Sequence, residues 1–235
     1  MKIICFGDSL TRGVSFVKGR VRIIKDNYPA FLEKLFSVNN PEDTIVLNKG
    51  VFNDNSDLLM KRLEKDVLSE EPNYVLLNVG GNDCNFKWQE VAENPNSNHD
   101  PIVPMNQYIE NIGQMVTKMK QSNITPILLT LPPLDPVRYY KFIADKYGTT
   151  ISHWISSCGG IEHWHSLYNI QLNKLIEQLN LPSIDVRTAL KKAGNIADFI
   201  SDDGIHLNSE GYKKMSDVIF EEMLRLTGAQ KEQLS

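Results

Sequence analysis

Four stretches of this chain hold residue types that together perform acyl transfer. Phe6-Gly7-Asp8-Ser9-Leu10 follows the apolar run Ile3-Ile4-Cys5-Phe6 and places Ser9 where a strand turns out of its sheet. A serine hydroxyl is a weak nucleophile at neutral pH. It needs an adjacent base, usually an imidazole whose other nitrogen is held by a third group. Asp203 and His206, in Asp202-Asp203-Gly204-Ile205-His206-Leu207, stand three positions apart. On a helical or near-helical turn that offset puts both on one side, within reach of a shared hydrogen bond. Asp202 lacks the offset, so Asp203 is the expected partner of the ring, with a main-chain carbonyl as the alternative. Attack on a carbonyl creates an oxyanion that needs donors fixed in advance, and losing one costs roughly 10²–10³ in rate. The Asn82 side chain, in Gly80-Gly81-Asn82-Asp83, and a main-chain N–H at Gly50, in Asn48-Lys49-Gly50, are suitable donors.

These residues need elements to carry them. Short β-rich runs at 2–6, 44–48, 74–79, 125–131 and 183–186 alternate with helical patterns at 29–36, 56–68, 106–120, 161–179 and 209–227. That alternation predicts βαβ units and a five-stranded parallel sheet covered on both faces, an α/β class. Tyr108, Ile109, Ile112, Met115, Val116 and Met119 recur at helical spacing and are expected in the core. In open sheets of this kind the ligand crevice lies beyond the carboxyl ends of the strands. Ser9, Gly50 and Asn82 each follow a predicted strand by a few residues and should converge there, with Asp203 and His206 reaching the same edge from the loop before the last helix.

The four stretches resemble, in order, the sequence blocks of the SGNH hydrolases (GDSL-type esterases and lipases). The likeness rests on Gly7-Asp8-Ser9-Leu10-Thr11-Arg12-Gly13, on Gly50, on Gly80-Gly81-Asn82-Asp83 and on Asp203-Gly204-Ile205-His206, and so spans nearly the whole chain. It implies a flavodoxin-like, three-layer α/β/α fold. It also implies Ser9 as nucleophile, His206 as base and later acid, Asp203 as orienter, and an oxyanion hole of Ser9 N–H, Gly50 N–H and the Asn82 amide, with no cofactor. One departure lies after Gly50, where the family often has a further glycine and Asn53 stands instead. Asparagine tolerates left-handed backbone better than most residues. Substrates implied are acetylated sugars, short-chain esters, lysophospholipids and thioesters.

Composition bounds the alternatives. A chain of 235 residues with 41% hydrophobic and 23% charged side chains is long enough for one well-buried domain over residues 1–235. A net charge of −4 without blocks of like charge gives no footprint for nucleic acid or an anionic membrane. Three cysteines, Cys5, Cys84 and Cys158, form no C-x-x-C pair, so no disulfide framework is expected and a reducing compartment fits. Lys2 is the only charged side chain before the apolar run that leads into Ser9, and that run is too short for a signal peptide or a membrane span. A cytoplasmic protein acting on small soluble esters, O-acetylated carbohydrate included, is the expectation.

Two long segments, 84–104 and 132–160, read as loops shaping a pocket, with Trp88, Tyr139, Tyr140 and Trp154 as substrate-contacting aromatics. Asp8 and Asp83 are expected to brace their loops by accepting main-chain N–H groups. His153, Cys158, Glu162, His163 and His165 invite a metal reading, but His163 and His165 are two apart and point to different sides of a helix. Pocket lining and surface is the reading preferred for them, and a buried structural thiol for Cys84. Competing function classes are a metal-dependent phosphoesterase and a non-catalytic sugar- or acyl-binding module. The first lacks an Asp-x-His near the first strand, and the second sits badly with a complete nucleophile, base and amide set.

Overall fold

The structure, a computed structural model, describes residues 1–39 and 44–233. In chain order it runs β1 (Lys2–Gly7), α1 (Ser9–Arg12), β2 (Val14–Val17), β3 (Arg20–Ile23), α2 (Tyr28–Asn39), β4 (Ile45–Gly50), α3 (Ser56–Asp66) and β5 (Tyr74–Asn78). It continues through α4 (Trp88–Glu93), α5 (Met105–Gln121), β6 (Thr125–Leu129), α6 (Pro136–Tyr147) and α7 (Ser152–Ser157), then α8 (Ile161–Gln178), β7 (Ser183–Ile184), α9 (Val186–Ala193) and α10 (Ser209–Gln233).

Five strands form one parallel sheet in the order β4-β1-β5-β6-β7. Successive residues of β1 face opposite sides, and both sides are dry. Ile4 and Phe6 join Val75, Leu77 and Leu128 under α3, α5 and α8, where Leu59, Leu63, Tyr108, Ile112, Met115 and Tyr168 are buried. Ile3 and Cys5 join Leu76 and Ile127 over α2, α9 and α10, which supply Leu32, Phe36, Leu190, Tyr212, Met215 and Ile219. Burial on both faces explains why β1, β5 and β6 read as continuous apolar runs and not as alternating ones. Truncating a fully buried side chain such as Leu59 to alanine costs about 2–5 kcal/mol.

Counting only strands of this sheet, the chain visits them in the order second, first, third, fourth, fifth. The progression reverses between β1 and β5, and that switch point opens the crevice where such folds bind ligands. Ser9 leaves from β1 and Asn82 from the turn after β5, one on each side of it.

Three departures from the sequence reading have physical causes. The run predicted as a strand over 183–186 is cut to Ser183–Ile184, because the Asp185 carboxylate accepts Thr188 N–H at 3.0 Å and caps α9. The segment 132–160 is largely helical: Asp135 accepts from Val137 N–H and Arg138 N–H, and Pro136 opens α6. β2 and β3 make an antiparallel hairpin around Lys18 (φ +51°) and Gly19 (φ +75°), the two left-handed residues of a tight primed turn. Among the described residues no helix is long and apolar enough to cross a membrane.

Candidate active site

Ser9 opens α1, one short turn held at its start by Asp8, whose carboxylate accepts Leu10 N–H at 2.9 Å. Burial pushes the Asp8 carboxyl up to about 7 against the pull of that N–H. Ser9 itself is 7% exposed. Its Oγ lies 2.9 Å from His206 Nε2, and His206 Nδ1 lies 2.5 Å from Asp203 Oδ2. An ionised carboxylate only accepts, so Nδ1 carries the ring proton and Nε2 presents its lone pair to the serine hydroxyl.

The loop bearing the aspartate and the histidine is a tight turn and not the helical one the offset suggested. Asp203 Oδ1 accepts from Ser201 Oγ (3.0 Å), Ile205 N–H (3.2 Å) and His206 N–H (3.1 Å). Burial opposes ionisation of Asp203, but the His206 ring and these N–H donors outweigh it and hold the carboxyl below its usual range. Gly204, at φ +81°, allows the turn to press on the start of α6, where a Cβ would meet Tyr139 N at 2.2 Å. Gly204 O accepts Asp135 N–H (2.8 Å), and Arg138 Nη1 donates to the carbonyls of Ala197 and Ile200, both at 2.8 Å. The helix and the loop are thereby clamped together.

On the oxyanion side the structure corrects one expectation. Gly50 is not an available donor, because its N–H is taken by Asn48 Oδ1 at 2.9 Å. Gly50 is also absent from the residues lining the cavity. It is glycine because a Cβ would stand 2.2 Å from Arg12 N, so it lets the α1 turn approach β4. Asn53 follows in the next turn with φ +63°, the left-handed geometry foreseen for it. Ser9 N–H has no partner among the described residues, and Asn82 lines the cavity with Nδ2 donating one hydrogen to Asp54 O at 2.7 Å. The second amide hydrogen of Asn82 is left for a ligand.

Sequence reasoning missed what fixes this corner. Arg62 Nε meets Asp54 Oδ2 at 2.6 Å, its Nη1 reaches Lys49 O and Asp66 Oδ2, both at 2.9 Å, and its Nη2 reaches Gly7 O at 2.8 Å. The guanidinium lies 4.4 Å over the Phe6 ring. One side chain of α3 thus ties the ends of β1 and β4 to the loop that positions Asn82. An arginine amid charged residues on a helix leaves no pattern to find it by. Asp83 braces as expected: Oδ1 accepts Ser56 N–H at 3.0 Å, and burial pushes its carboxyl up to about 6.

The cavity holds about 90 Å³ and runs from Ser9, Asn82 and His206 toward α7 and the start of α8. Trp88 and Tyr139 line it, whereas Tyr140 and Trp154 do not. Trp154 instead packs edge-on against Phe86, with centroids 5.7 Å apart, and Tyr140 lies against the apolar cluster formed by α4, α6 and α7. Leu134, Ile155, Ile161, Trp164 and His165 complete much of the wall. Of the residues that suggested a metal, His163 is exposed and His165 buried on the same helix. The Cys84 thiol is buried, and burial raises it far above the ordinary thiol range, so it is not primed for reaction.

The family model for the GDSL-like Lipase/Acylhydrolase family matches residues 5–214. The isoamyl acetate-hydrolyzing esterase of Saccharomyces cerevisiae is 26% identical over 223 residues, covering 92% of this chain and 83% of that protein. Among solved structures, a lipase/acylhydrolase from Enterococcus faecalis superposes with TM-score 0.70 at 22% identity, covering 94% of both chains. Axe2, an acetylxylan esterase from Geobacillus stearothermophilus, does so with TM-score 0.64 at 19% identity, over 94% of this chain and 93% of that one. At such identities the structural likeness speaks for the fold. The span matched by the family model contains Ser9, Asn82, Asp203 and His206, and the chain belongs to the GDSL-like Lipase/Acylhydrolase family.

Proposed function

We propose that this carboxylic ester hydrolase cleaves short-chain or O-acetyl esters through an acyl-enzyme on Ser9. The observation that carries the reading is the continuous line from Ser9 Oγ through the His206 ring to Asp203, 2.9 and 2.5 Å long. Ser9 Oγ adds to the ester carbonyl carbon while His206 Nε2 takes its proton. The oxyanion is met by Ser9 N–H and the free hydrogen of the Asn82 amide, donors already in place before reaction. Gly50 has no part in this. His206 then protonates the departing alcohol, and water repeats the sequence on the acyl-enzyme to release acid and restore Ser9.

The small acyl or alcohol group is supported by space. A cavity of about 90 Å³ is well below the roughly 300–1,000 Å³ of sites that enclose drug-sized ligands. A lysophospholipid's long chain fits poorly, and the acetate esters named for the yeast and Geobacillus relatives lend the short-chain reading support. The unpaired thiols Cys5, Cys84 and Cys158 support a reducing, cytoplasmic setting.

Wild-type protein should hydrolyse p-nitrophenyl acetate and be labelled by a fluorophosphonate at Ser9, and Ser9→Ala should do neither. Labelling at another residue, or turnover by Ser9→Ala matching wild type, rejects the mechanism.

A further inference from the structure

The cavity wall carries polar groups that ester cleavage leaves idle. His165, in α8, lines the cavity and is 7% exposed. Behind it Arg187, from α9 and equally buried, donates from Nη1 to His165 Nδ1 at 3.0 Å. Its remaining bonds run from Nη1 to Leu131 O at 3.2 Å and from Nη2 to Ser166 Oγ at 2.8 Å. A guanidinium only donates and stays charged. Nδ1 of His165 is therefore the lone-pair nitrogen, and the ring proton is forced onto Nε2. Burial, with the positive charges of Arg187 and Lys191, pushes the imidazole down to about 3, so the ring remains neutral at working pH. Nε2 has no hydrogen bond among the described residues and is not one of the fully buried polar atoms, so it keeps accessible surface on a residue of the cavity wall.

Asn85 repeats the arrangement. Its Oδ1 accepts from Phe86 N–H (2.9 Å), Trp88 Nε1 (2.8 Å) and Tyr139 OH (2.8 Å). A main-chain amide and an indole can only donate, so the orientation of the Asn85 amide is fixed and Nδ2 is the group left over. Outside the reacting end, both of these cavity-lining side chains thus hold an N–H in reserve, with the acceptor atom of the same group already occupied by protein donors. The surrounding wall of Leu134, Ile155, Ile161 and Trp164 is apolar.

We propose that His165 Nε2–H, seconded by Asn85 Nδ2, selects esters that carry a neutral acceptor oxygen (ether, hydroxyl or carbonyl) in the part of the substrate buried in the cavity. The proposal rests on the esterase reading of the site. A purely hydrocarbon occupant covers the N–H groups without satisfying them, and sites built to hydrogen-bond a substrate discriminate against the analogue that lacks the partner. A hydroxylated carbohydrate acetate meets the requirement, and an alkyl acetate does not.

The test uses two isosteric pairs in which one CH₂ becomes O: p-nitrophenyl butyrate against p-nitrophenyl methoxyacetate, and n-pentyl acetate against 2-ethoxyethyl acetate. The value of kcat/KM is measured on wild type, His165→Leu, His165→Gln and Ser9→Ala. Dividing the ratio within a pair for wild type by the same ratio for His165→Leu cancels intrinsic ester reactivity and loss of folded protein. We expect that quotient to favour the oxygenated ester by about 5- to 10-fold in at least one pair, the value of one neutral hydrogen bond. His165→Gln, which can meet Arg187 with its oxygen and offer an N–H to the cavity, should keep part of the preference. The pair that responds identifies the acyl or the alcohol side as the buried part. Equal losses on both members of both pairs overturn the inference and leave the esterase reading standing. Wild type no faster than Ser9→Ala on all four esters overturns both.

Discussion

The two ends of the cavity are each built on a buried histidine, and they differ in what stands behind the ring. His206 has a carboxylate on Nδ1, so its proton sits there and its lone pair faces Ser9. His165 has a guanidinium on Nδ1, so its lone pair sits there and its proton is on Nε2. The partner behind the ring sets the tautomer, and in the proposed mechanism the tautomer separates a base that takes a proton from a donor that keeps one. Burial alone does not distinguish them, since His206 is 6% exposed and His165 7%.

Matched substitutions behind the two rings put this contrast at risk. Asp203→Asn preserves the shape of the carboxylate but allows the wrong tautomer of His206, and it should lower kcat by about 10⁴-fold. A variant that keeps a tenth of wild-type turnover would show that the carboxylate does not set the role of the ring. Asn82→Ala removes one oxyanion donor and should cost about 10²–10³ in kcat with KM nearly constant. A loss confined to KM would move Asn82 from the oxyanion to ground-state binding. Arg187→Met leaves Leu131 O and His165 Nδ1 without a donor, and should lower stability by about 1–3 kcal/mol in denaturant titrations. Its effect on turnover of a plain acetate should stay within about ten-fold, and the His165 ring should titrate higher in NMR spectra. A kcat loss as deep as that of Asp203→Asn would erase the distinction between the two ends.

Acid separates the groups by sign. The folded value for His165, about 3, lies below the ordinary 6.5. Between those values the unfolded chain takes up the proton and the folded one does not, so stability falls as pH drops below about 6.5, by at most about 1.4 kcal/mol per pH unit. Asp8 and Asp83, pushed up to about 7 and about 6, act the other way: the folded state holds their protons, and stability is lost as pH rises from the ordinary carboxyl range toward 7. His165→Gln should therefore gain stability relative to wild type progressively below pH 6.5 in denaturant titrations. A constant difference from pH 7 to pH 4 would place a charged or exposed ring at this position.

The convergence of Ser9, Asn82, Asp203 and His206 was legible in the sequence because each sits at a fixed offset from a strand end or from a partner. Ser9 and Asn82 follow apolar runs, and Asp203 announces His206. Gly50 shows where that logic stops, since a glycine after a strand serves a donor and a close approach equally well, and here Arg12 occupies the space. The wall was less legible. Trp88 and Tyr139 reach the cavity while Tyr140 and Trp154 do not, because the rotation of α6 and α7 decides between neighbours that composition treats alike. Asp135-Pro136 and Lys18-Gly19 did carry the signals of a helix start and a hairpin turn. The pairing of His165 with Arg187 crosses 22 positions and joins two helices, and nothing local marks it.

The clamp between α6 and the loop of the base has a consequence for how this pocket can change. Tyr139 sits on the same helix whose Arg138 grips two carbonyls of that loop, and whose start leaves no room for a side chain at residue 204. Remodelling this side of the binding chamber by exchanging the helix would displace His206 as well. Divergence toward new esters is thereby channelled into α4, α7 and the beginning of α8, which among the described residues make no hydrogen bond to the loop of His206.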